Sequence, residues 1–69
     1  MRNYILIVED DNEINHMLQE LLRNQGFQTE SAFSGTEALL YVKNEMPTAV
    51  ILDLMLPGMS GEQLLEEIK

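Results

Sequence analysis

The sequence predicts an α/β fold in which strands alternate with helices, and three observations predict it. Two short apolar runs, Tyr4-Ile5-Leu6-Ile7-Val8 and Ala49-Val50-Ile51-Leu52, suit strands buried on both faces. Stretches with helical spacing and helix-end signals lie between and after the strands. Both apolar runs end in acid, Glu9-Asp10-Asp11 after the first and Asp53 after the second. Strands alternating with helices imply a parallel sheet with right-handed crossovers and a helix layer on each face.

The elements follow in order. Tyr4 to Val8 reads as the first strand. A helix is expected from about Asn12 to Gln25, with Ile14, Met17, Leu18, Leu21 and Leu22 at helical spacing as its core stripe. Asp10 or Asp11 caps its start, with Asp11 favoured as cap over metal ligand, and Gly26 ends it. Phe27 to Ala32 is shorter and more polar, as befits an edge strand. Ser34-Gly35-Thr36-Glu37 has the form of a capping box and opens a second helix to about Asn44, which Pro47 prevents from continuing. Thr48 to Leu54 is the next buried strand. Pro57-Gly58 marks a loop, and Ser60 caps a third helix whose apolar side is Leu64, Leu65 and Ile68. The order is βαβαβα, with no linker or internal repeat.

Bulk properties exclude several classes. The 69 residues allow one small domain with a marginal core. With 12 Asp and Glu against 4 Lys and Arg, the net charge of -8 repels phosphate backbones, so no direct nucleic-acid contact is expected from this segment. There is no cysteine for a disulfide or a zinc-thiolate site, which fits a cytoplasmic location. No run is long enough to span a bilayer, and the five apolar residues after Asn3 are too few for a signal-peptide core.

The strand-end acids carry the chemistry. Ligands of open α/β sheets bind beyond the carboxyl ends of the strands, at a topological switch point. A switch point between the two apolar strands brings Glu9, Asp10 and Asp53 together. Carboxylates gathered this way are costly unless a cation or proton compensates them. Hard cations such as Mg take oxygen ligands, and these three acids with a loop carbonyl make such a set. Mg beside Asp53 neutralises phosphoryl charge as the carboxylate attacks phosphorus, which gives an aspartyl-phosphate.

Ile5-Leu6-Ile7-Val8-Glu9-Asp10-Asp11 followed by Asp53-Leu54-Met55-Leu56-Pro57-Gly58-Met59-Ser60-Gly61 resembles the receiver domain of bacterial two-component response regulators. The resemblance runs along the whole chain. It implies a flavodoxin-like three-layer sandwich, here truncated to βαβαβα with sheet order 2-1-3. It implies that Asp53 accepts phosphate from a sensor histidine kinase. Asp10 then matches a direct Mg ligand, Glu9 one that acts largely through water, and the backbone carbonyl of Met55 a further ligand. Receivers of this family also carry a Ser or Thr after a fourth strand and a Lys after a fifth. Residues 1–69 therefore read as the N-terminal half of a receiver. Its third strand would offer a bare apolar edge, and a homodimer through that edge is expected.

Other readings compete with this one. A self-associating fragment that keeps the fold elements without phosphorylation is the alternative function. An aspartyl phosphotransferase or phosphatase commonly has a second acid two residues after its nucleophile, and Met55 stands there. Nucleotide binding lacks a glycine-rich loop after the first strand. His16 lies off its helix's apolar stripe and is expected on the surface, whereas Met17 is expected in the core.

Overall fold

The structure, a computed structural model, describes residues 3–52. The expected Asp53, Met55, Pro57-Gly58 loop and third helix lie outside the described residues. Within them the order is β1 (Ile5–Val8), α1 (Asn12–Asn24), β2 (Thr29–Ala32), α2 (Gly35–Asn44) and β3 (Ala49–Leu52). The strands form a parallel sheet in the order β2-β1-β3. The fold class and strand order are those expected.

β1 is central because it is apolar on both faces. Leu6, Ile7 and Val8 are wholly buried. Successive strand residues point to opposite faces, so Tyr4, Leu6 and Val8 share one side and Ile5 and Ile7 the other. The first set, with Ala32 and Ala38, forms the core cluster, and Leu39, Tyr41 and Val42 of α2 pack on it together with Val50 and Leu52 of β3. On the opposite side, Arg23 of α1 donates from Nε to the Thr29 hydroxyl at 2.9 Å. Thr29 sits level with Ile5, so α1 covers the Ile5 and Ile7 face.

Both helices end as their sequences direct. The Asp11 carboxylate accepts the N–H groups of Glu13 at 2.9 Å and Ile14 at 3.0 Å, so Asp11 is the N-cap. At the other end, Gly26 takes φ 94°. Its N–H donates to the Arg23 carbonyl at 2.9 Å and that of Phe27 to the Leu22 carbonyl at 3.1 Å, which is a Schellman closure. Phe27 therefore belongs to the helix end, and β2 begins at Thr29 rather than at Phe27. The Ser34 hydroxyl accepts the Glu37 N–H at 3.2 Å and starts α2. The Tyr4 hydroxyl donates to the Glu45 carbonyl where α2 ends, and the Thr48 N–H donates to the Tyr4 carbonyl at 2.8 Å, which guides the chain into β3.

The expected core stripe of α1 is not the buried one, and β3, expected as a buried strand, has exposed residues at Ala49 and Ile51. Met17 is 58% exposed, and Ile14 and Leu21 are exposed with it. Leu18 and Leu22 are half-buried, and the fully buried residue of α1 is Asn15. Asn15, Leu18, Gln19 and Leu22 also recur at helical spacing, so the helix is turned by about a quarter turn from the phase that its apolar residues suggest. In this phase Asn15 is hydrogen-bonded to the strand ends. α1 also joins β1 to β2 and lies over those two strands. Ile51 of β3, level with Ile7 on the same face, is left 37% exposed.

Candidate functional site

Sheet register brings the strand ends to one level. Val8 pairs with Ala32 on one side and with Leu52 on the other. β1 then continues into Glu9, whose N–H donates to the Ala32 carbonyl at 3.0 Å. The acids Glu9-Asp10-Asp11 thus stand at the carboxyl edge of the central strand and lead directly into α1, whose N-terminus favours negative charge.

The three acids are not equivalent. Asp11 is committed to capping α1. Glu9 is half-buried, and one of its carboxylate oxygens accepts the Asp11 N–H at 3.2 Å. Asp10 is exposed. Two of the expected site residues, Glu9 and Asp10, are therefore consecutive on one loop, and Asp53 and the Met55 carbonyl lie outside the described residues. Among the described residues, no three His, Cys, Asp or Glu side chains gather in a cluster able to hold a metal. The donors present are carboxylate oxygens beside an open edge, the hard and water-accessible set that suits Mg.

Sequence reasoning missed Asn15. Its side chain is wholly buried. Its Nδ2 donates to the Glu9 carbonyl at 3.0 Å and reaches the Ala32 carbonyl at 3.4 Å, while its Oδ1 accepts from Gln19 Nε2 at 2.9 Å. One signal for it was in the chain. Asn is a poor helix former, and Asn15 stands inside α1 at the spacing of Leu18 and Leu22, where an apolar residue would continue the stripe. His16, by contrast, is a surface residue whose Nε2 lies 3.2 Å from the Glu20 carboxylate one helical turn on.

A concavity on α2 is lined by Glu37, Leu40, Tyr41 and Asn44. No helix of the described residues is long and apolar enough to cross a membrane.

Comparison with known proteins agrees with this geometry. The family model for the response regulator receiver domain matches residues 5–69. The DNA-binding response regulator MtrA of Mycobacterium tuberculosis is 49% identical over 61 residues, which cover 88% of this chain and 27% of that protein. Sporulation initiation phosphotransferase F of Bacillus subtilis is 41% identical over 69 residues, all of this chain and 56% of that one. Among solved structures, response regulator protein TrrA from Thermotoga maritima, in complex with Mg and BeF, superposes with a TM-score of 0.90 at 36% identity, covering 97% of this chain and 58% of that chain. The chain thus spans about a quarter to a half of the length of these curated relatives.

Proposed function

Because this chain belongs to the response regulator receiver domain family, we propose that Asp53 accepts a phosphoryl group from a sensor histidine kinase, with Glu9 and Asp10 holding the Mg that assists it. The observation that carries this reading is the pairing of Val8 with Leu52. Adjacent strands lie about 4.8 Å apart. Asp53 is joined to Leu52 and Glu9 to Val8 by single peptide links, each about 3.8 Å between Cα atoms. That the acids follow two paired strand ends directly in the sequence is what supports the reading.

In the transfer, a carboxylate oxygen of Asp53 forms a bond to phosphorus. The bond from phosphorus to the kinase's imidazole nitrogen breaks, and that nitrogen keeps the electron pair. When bound, Mg supplies neutralisation of charge on the phosphoryl oxygens. Asp10, exposed and uncommitted to the helix cap, is the direct ligand, and the Met55 carbonyl is a further one. Glu9, half-buried and bonded to the Asp11 N–H, acts largely through water. The Mg-containing TrrA structure and the phosphotransferase relative support this assignment. The share of TrrA that is covered supports reading residues 1–69 as the N-terminal half of a receiver. The protein's role is then that of a cytoplasmic, regulatory phosphoacceptor rather than an enzyme.

Intact mass after incubation with acetyl phosphate and Mg tests the proposal. One added phosphoryl group, lost in Asp53→Asn, is the expected result. An unchanged mass in the parent protein overturns it.

A second reading concerns the partner. Among the described residues β3 pairs only with β1, and its Ala49 and Ile51 are exposed. We infer that a second copy of the chain pairs along this edge about a two-fold axis. Light scattering on the eluting protein should give twice the monomer mass, and a monodisperse monomer at micromolar concentration rules the dimer out.

A further inference from the structure

We infer that Asn15 is a positioning residue for the Mg-binding acids, clamping the backbone that carries Glu9 and Asp10. The inference rests on the proposed role of those acids and extends it to a residue on a different element. Nδ2 faces two carbonyl oxygens, those of Glu9 and Ala32. Both are acceptors, so the side-chain atom between them must be the NH2 donor, and the remaining Oδ1 receives Gln19. Burying a primary amide is costly unless its groups are bonded, and here they are.

The clamp acts on both sides of one Cα. The Glu9 N–H is held by the Ala32 carbonyl at 3.0 Å, which orients the peptide between Val8 and Glu9. The Glu9 carbonyl is held by Asn15 at 3.0 Å, which orients the peptide between Glu9 and Asp10. With both planes set, the direction in which the Glu9 side chain leaves the chain is set, and so is the position of the Asp10 Cα. Asn15 is itself rigid, because its N–H closes the first helical bond onto the Asp11 carbonyl at 2.9 Å. Without the amide, the second peptide plane is free to rotate and Asp10 turns with it. Metal sites depend on such outer groups, whose loss typically weakens binding by about 10-fold to 100-fold.

The test is Mg titration followed through the backbone amide resonances of Glu9 and Asp10, on the parent protein, Asn15→Ala and Asn15→Leu. Ala removes the clamp and favours the helix, and Leu removes it while filling the space, so loss of fold in one leaves the other to decide. Leu22→Ala, a destabilised variant remote from the acids, is the comparator. The expected result is a Kd for Mg raised about 10-fold or more in the Asn15 variants and unchanged in Leu22→Ala. Parent-like affinity in a folded Asn15 variant overturns the inference and leaves the proposed function standing. An equal loss in Leu22→Ala also overturns it, since general destabilisation then explains the effect. A parent protein that binds no Mg overturns both.

Discussion

Leu52 stands directly opposite Val8 in a parallel ladder, so the central strand and β3 end level with each other at one edge of the sheet. At that edge the acids of β1 divide their duties, and substitutions should separate them. Asp10→Asn removes the exposed carboxylate and is expected to weaken Mg binding most. Asp11→Asn keeps a capping oxygen and is expected to leave Mg binding close to parental. Calorimetric titration with Mg compares the two, and equal affinities for them would falsify the assignment of Asp10 as the direct ligand.

The cap itself should register in stability. Asp11→Ala leaves the Glu13 and Ile14 N–H groups without their acceptor. The expected loss is about 1 kcal/mol in urea unfolding, with Asp11→Asn close to the parent.

Gly26 closes α1 at φ 94°, a region that L side chains enter at a cost. A Cβ built there meets nothing within 4 Å, so the penalty of Gly26→Ala is conformational rather than steric. Unfolding measurements should show a loss of roughly 1–2 kcal/mol. A neutral or stabilising effect contradicts the left-handed closure.

The two faces of the apolar pattern should respond differently. Leu6 is wholly buried in the cluster with Tyr4 and Val8, and Leu6→Ala is expected to cost about 2–5 kcal/mol. Met17 projects from α1 at 58% exposure, and Met17→Gln is expected to stay within about 0.5 kcal/mol of the parent. A large loss at Met17 means that another part of the protein covers it.

Ile51 probes the sheet edge. A lysine there places charge beside the outer edge of β3, a device that discourages strand pairing between chains. Ile51→Lys should shift light-scattering mass from dimer to monomer, and a persistent dimer moves the interface elsewhere.

Local chemistry explains why so much of the fold was legible in the chain. The apolar runs at Ile5–Val8 and Ala49–Leu52, the Asp11 and Ser34 caps and the Gly26 stop all act within a few residues of themselves, through hydrogen bonds and backbone preferences that sequence spacing encodes. Alternation of strand and helix then leaves a parallel sheet as the way to bury both faces of β1. The acids Glu9 and Asp10 were visible for the same reason, because they end an apolar strand. What only the tertiary structure decided is the rotation of α1. Apolar periodicity placed Met17 and Leu21 inward, but the strand-end carbonyls of Glu9 and Ala32 drew Asn15 under the helix instead. A hydrogen bond between residues 17 positions apart has no local signature, and a buried amide left unpaired there would cost its full desolvation.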